Sequence, residues 1–163
     1  DQDSEVARLL GASWLLTSPQ RVAAAETLDQ LASSADPRVA LLADAQRWRA
    51  RYVSAPDSEL AIWRQRLERM PVELRFGPYF VLGQAYAHHR QHEDAALCWL
   101  RLPIAYPQRY KLAAESLWLA AQALRQAGQT EESARLLDEI VTRYPASELV
   151  GRAREALANQ EEG

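Results

Sequence analysis

The stretch YFVLGQAYAHHRQHEDAALCWLRLPIAYP, residues 79–107, decides the fold. Its Tyr79, Leu82, Gly83, Tyr86, Ala95, Trp99 and Pro107 fall where a helix–turn–helix repeat of about 34 residues places its packing side chains. The next stretch, LWLAAQALRQAGQTEESARLLDEIVTRYP over 117–145, repeats the same sizes. The interval from Pro107 to Pro145 is also the interval within each of the pairs Gly83/Ala121, Tyr86/Leu124, Trp99/Leu137 and Tyr106/Tyr144. Small residues at Gly83 and Ala121 allow two helices to approach closely, and the large members of the other pairs fill the space between hairpins. One such hairpin has too little core to fold alone, so the pattern implies hairpins stacked in series.

The rest of the chain agrees with an all-α fold. Its 163 residues sit within the range of one core, and a single domain over 1–163 is expected. Alanine and leucine dominate a hydrophobic fraction of 48%, and β-branched residues never alternate, which favours helix throughout. The 19 basic and 22 acidic residues are mixed along the chain, without the one-signed stretch that nucleic acid or a membrane surface selects. Lys111 is the only lysine. Cys98 is the only cysteine, so no intrachain disulfide forms, and on a helix it reads as a small buried hydrophobe. No apolar run approaches the ~20 residues of a membrane span. The chain opens on Asp1, so any leader or anchor is expected to be removed or lacking.

Start and stop signals divide the chain into nine helices. The first runs from about Asp3 to Leu16. Ser18 with Pro19 and Asp36 with Pro37 each supply an N-cap followed by proline, and Asp57 or Ser58 caps a fourth helix that Pro71 stops. The fifth runs from Gly77 or Pro78 to His89. The sixth starts near Glu93 and has its last turn kinked or shortened by Pro103. The seventh spans about Gln108 to Gln126 and ends at Gly128, suited to a left-handed C-cap. Thr130, Glu131 and Glu132 open the eighth, to Tyr144, and a last helix over Ser147 to Asn159 leaves a polar tail, Gln160 to Gly163.

Between Tyr79 and Pro107 the chain meets in full the pattern of the tetratricopeptide repeat family, which it resembles. Residues 117–145 match with Ala120–Ala121 for Leu-Gly, Ser133 for the second-helix alanine and a four-residue extension. The ending "RYPASELVGRAREAL" is similar to the long-helix variant in bacterial envelope proteins such as the TolA-binding cell-division coordinator and the outer-membrane assembly lipoprotein. Leu10, Gly11 and Trp14 match first-helix positions, Ala24 and Leu28 fit the second helix, and 36–71 is degenerate. The resemblance implies a right-handed superhelical stack: two degenerate hairpins over 1–71, two regular repeats over 72–145 and a capping helix over 146–159. It also implies a bacterial periplasmic or envelope setting, with the cytoplasm as the alternative.

In that family the first helix of each hairpin lines a concave groove. Carried over position by position, the groove residues are Arg8, Asp44, Arg47, Trp48, Phe80, Gln84, His88, Trp118, Gln122 and Arg125. Aromatic bodies beside planar donors are the composition of binding hot spots, and a peptide or helix of a protein partner is the implied ligand. The lysine and asparagine clamp that holds chaperone tails is missing, because Phe80, Gln84, Trp118 and Gln122 occupy its positions.

Other chemistry is thinly represented. His88, His89, His92, Glu93, Asp94 and Cys98 form the one cluster with metal-ligand chemistry, but the repeat places the inter-helix turn at Arg90 to His92, so His88 and His92 lose an i,i+4 relation. A solvated turn and no metal are expected. No phosphate loop or nucleophile elbow occurs, and the pairs Glu131/Glu132 and Asp138/Glu139 belong to a helix start and a solvated face. Arg47, Trp48, Arg49, Arg51 and Tyr52, with Arg64, Arg66 and Arg69, imitate a basic–aromatic RNA surface, but Asp44, Asp57, Glu59 and Glu68 dilute the field. The sequence therefore points to a non-catalytic interaction scaffold without cofactors. A self-associating or spacer domain of a larger protein is the alternative.

Overall fold

The structure, a computed structural model, describes residues 2–161, with side chains over residues 4–160. Among them are nine α-helices and no strand: α1 (Gln2–Leu15), α2 (Arg21–Leu31), α3 (Pro37–Arg51), α4 (Asp57–Arg69), α5 (Phe76–His88), α6 (His92–Ala105), α7 (Tyr110–Gln126), α8 (Thr130–Arg143) and α9 (Val150–Glu161). A 3-10 turn, Val72–Leu74, that no sequence signal announced precedes α5. The helix expected to stop at Asn159 runs on to Glu161, and residues 162–163 of the expected tail lie outside the described residues. The chain packs as two compact units, 1–82 and 83–163, the division falling within α5.

In the first unit α1 packs against α2 and α3, burying Leu9, Ala12, Ala24, Leu28, Leu31, Val39 and Ala43 together. Asp36 caps α3 as expected: its Oδ1 accepts from the Arg38 N–H at 2.9 Å, with Pro37 in the first turn. Two other starts need correction. Ser18 Oγ accepts from the Gln20 N–H at 3.1 Å and so closes a turn, and α2 begins only at Arg21. The residue preceding α4 is Pro56, which makes Asp57 the first helical residue, where its negative charge faces the helix dipole.

The register expected for α1 is also corrected. Leu10, Gly11 and Trp14 face solvent, and a Cβ on Gly11 would meet nothing within 4 Å. The helix carries apolar residues on two faces, and Leu9 and Ala12 are the ones that turn inward.

The second unit holds α6 to α9 and the end of α5. Helix α7 packs against α6 and α8, and α8 against α9. Its core joins Ala113, Ala114, Leu117, Ala121, Leu137, Ile140, Tyr144 and Ala153. The internal duplication extends to the backbone. Gln91 N–H donates to Tyr86 C=O and Arg90 N–H to Ala87 C=O; at the equivalent positions of the next hairpin, Gln129 donates to Leu124 and Gly128 to Arg125. Both turns are Schellman motifs, with the left-handed residue at Arg90 (φ 60°) and Gly128 (φ 81°). The closing residues also agree, Tyr106 at φ −133°, ψ 53° and Tyr144 at φ −125°, ψ 50°.

Pro103 does not shorten its helix. α6 continues through it to Ala105, the counterpart of Arg143 at the end of α8, because the Tyr106 N–H still reaches Leu102 C=O at 2.9 Å. The ring removes only its own donor, and Pro103 is buried.

Candidate functional site

Trp118, Gln122 and Arg125 lie four and three residues apart on α7, which sets them along one side of the helix. The structure brings all three to the wall of a hollow of about 190 Å3, completed by Arg152, Glu155, Asn159 and Gln160 of α9 and by Ser133 and Leu137 of α8. Trp118, Gln122 and Arg152 also line a second hollow of about 560 Å3, with Tyr110, Lys111, Glu115 and Leu119 of α7 and residues 146–149. Trp118 is half-buried, one part packed on the core and the rest open. The Arg152 guanidinium lies 4.6 Å from the centre of its ring, within cation–π range.

Polar groups in the smaller hollow are incompletely paired. Gln160 Nε2 donates to the buried Ser133 Oγ at 3.4 Å, whereas Gln160 Oε1 is buried with no hydrogen-bond partner. Around this hollow sit a planar aromatic face, two guanidiniums, three carboxamides and one carboxylate, Glu155. Such a wall can hold a peptide backbone through its amides and an anionic side chain through either guanidinium.

The other groove residues fall elsewhere. Arg8 is exposed on α1 and donates to Gln30 Oε1 at 2.8 Å. Asp44 and Arg47 belong to an ionic chain in the first unit: Arg47 contacts Asp29 at 2.6 Å and Asp44 at 3.5 Å, and Arg66 contacts Asp44 at 2.8 Å. Both line a separate hollow of about 440 Å3. Phe80 and Gln84 are half-buried on α5, and His88 closes that helix with its ring edge-on to His89. Trp48 requires a correction. It is 2% exposed and stacks on Trp63 with ring centres 5.1 Å apart and planes within 5°, so its size is used in the core of the first unit.

Sequence reasoning missed the α9 half of the site. Arg152, Glu155 and Asn159 recur at helical spacing in GRAREALANQ, a signal of a polar helix face, but the family resemblance gives that segment only a capping role. Among the described residues no group of three or more His, Cys, Asp or Glu side chains is placed to hold a metal ion, and no helix is long and apolar enough to cross a membrane.

Paired helices that recur with one geometry from hairpin to hairpin, carrying an open polar and aromatic face, define a helical-repeat protein. Residues 115–147 match the family model for the tetratricopeptide repeat, and this chain therefore carries such a repeat, spanning most of α7, all of α8 and the turn that follows. No curated protein and no solved structure matched the chain.

Proposed function

We propose that the chain is a non-catalytic protein-interaction scaffold and that the α7–α9 face of its second unit holds an extended or helical segment of a protein partner. The observation that supports this most is the convergence of Trp118, Gln122 and Arg125, which belong to the tetratricopeptide repeat, with Arg152 and Asn159 of the following helix around open hollows. Rigid helices present these anchors in advance, so the partner alone loses conformational freedom on binding. Trp118 supplies the apolar anchor and the guanidiniums and carboxamides set register on the segment's backbone and acidic groups. Shape and hydrogen bonding, more than net charge, then select the partner.

The experiment is affinity capture with the wild-type chain and the Trp118→Ala and Gln122→Ala variants, using a photo-crosslinking residue at Glu155. A partner crosslinked from Glu155 and lost in Trp118→Ala supports the assignment. Capture that survives both substitutions places the interaction elsewhere.

A further inference from the structure

Six charged side chains line the two hollows of the α7–α9 face: Lys111, Glu115 and Arg125 of α7, Arg152 and Glu155 of α9, and Glu148 just ahead of α9. The two helices run the same way here, because the smaller hollow takes the C-terminal half of each and the larger takes the start of each. The Arg152 guanidinium over the Trp118 ring sets the level of one helix against the other. Counted from that contact, Lys111 comes first along the face, then Glu115 with Glu148, then Arg152, then Glu155, then Arg125. The sign changes at every step, and each step is three or four residues, one helical turn of about 5.4 Å.

Among the described residues none of the six makes an ion pair, although Lys111 with Glu115 and Arg152 with Glu155 are spaced for one. Elsewhere the chain uses such spacings: Arg135 pairs with Glu131 and Arg143 with Glu139 on α8, and Asp44 pairs with Arg47 on α3. Trp118 accounts for part of the difference. Its ring holds the Arg152 guanidinium by the face, off the carboxylates a turn away, and leaves the N–H edge open to a planar acceptor. Three positive and three negative charges cancel in sum, so the order of the charges is what the face presents.

Resting on the scaffold reading above, we propose that the segment held on this face is a partner helix whose facing side alternates acid and base once per turn. Its acids stand opposite Lys111, Arg152 and Arg125, and its bases opposite the three glutamates. A helix repeats side chains on one face at i, i+4, i+7, i+11 and i+14, which is the spacing of the wall. An extended segment sets same-side residues about 6.8 Å apart and is half a step out of register after two steps. Sliding the helix by one turn brings like charges together at every level, so the pattern fixes register. The order reads alike from either end and leaves direction to shape.

Two labelled synthetic helices of about 18 residues, alanine-based and stapled on the outer face, test this. One carries Glu, Lys, Glu, Lys and Glu at the wall's spacing, and the other exchanges every Glu and Lys. Fluorescence anisotropy at low salt is expected to show the first bound about tenfold or more tighter, the gap closing as salt rises. The chain's net charge of −3 favours the second peptide, so a preference for the first reports the order of the charges. Arg125→Glu, Arg152→Glu and Glu155→Arg together should abolish the preference; all three residues are exposed, so the helical circular-dichroism signal should hold. Equal binding of the two peptides, binding of neither, or a preference that survives the triple variant overturns the proposal. Each of these results leaves the scaffold reading in place where partner capture is lost in Trp118→Ala. Capture indifferent to Trp118→Ala removes that reading and the proposal with it.

Discussion

A Cβ built on Gly83 would stand 2.6 Å from Nε1 and 2.7 Å from Cε2 of Trp99, so glycine is required here by the indole that fills the neighbouring helix. Trp99 is itself buried. Gly83→Ala should therefore destabilise the second unit by about 1–3 kcal/mol. The sister pair supplies the rescue, because Ala121 packs with Leu137 in the equivalent place. Trp99→Leu combined with Gly83→Ala should recover stability relative to the sum of the single variants, a coupling that a double-mutant cycle in urea measures directly. Strict additivity would show that the two pairs are not equivalent.

Arg90 and Gly128 occupy one position in two turns of identical hydrogen bonding, and only one of them is glycine. A side chain in the left-handed region costs about 1–2 kcal/mol, offset in part by the greater freedom that glycine loses on folding. Arg90→Gly should raise stability by about 0.5–1 kcal/mol, and Gly128→Ala should lower it by about 1–2 kcal/mol. Thermal melts of the two variants check the opposite signs.

These two turns also explain what the sequence could reveal. A constant interval ties Gly83 to Ala121 and Tyr106 to Tyr144 by size alone, because packing between hairpins needs particular volumes at fixed intervals, and the helices of the second unit follow from it. The first unit has no such second copy to fix its register. Helix α1 has an apolar face at Leu9 and Ala12 and another at Leu10 and Trp14, and periodicity does not choose between them; contacts with α2 and α3 do. The same limit separates Trp48 from Trp118. Each sits on a helix that matches a groove position, yet Trp63 of the following helix closes over one indole, whereas the other stays half-buried with the Arg152 guanidinium over its ring.

Tyr144 gives the second unit a pH dependence. Burial pushes its phenol above the ordinary value of 10.0; Arg143 opposes the shift, while Glu139 and Tyr110 add to it. The unfolded chain releases this proton before the folded chain does, so the stabilisation is complete below about pH 10 and is lost as pH rises from there through the folded-state value. The hydroxyl is also buried without a hydrogen-bond partner. Tyr144→Phe should therefore leave neutral-pH stability unchanged or raise it by up to about 1 kcal/mol, and should flatten the decline above pH 10. Urea denaturation between neutral pH and pH 11 measures both effects. A steeper alkaline decline in the variant would contradict the assignment.

Truncating the two tryptophans should have opposite consequences for folding and for binding. Trp48→Ala removes a fully buried, stacked indole and should cost about 3–5 kcal/mol, a large share of the roughly 5–15 kcal/mol that holds a domain folded. Trp118 is half in water, so Trp118→Ala should cost only about 1–2 kcal/mol of apolar burial while removing the anchor of the proposed groove. Circular-dichroism melts run beside partner capture separate the effects: loss of the fold in Trp48→Ala, and loss of capture with the fold retained in Trp118→Ala. Trp48→Phe supplies the control, because it restores most of the buried aromatic area and abolishes an indole N–H that has no acceptor. If Trp48→Phe folds normally and loses capture, the first unit contributes to the binding face and Trp48 is more than a core residue.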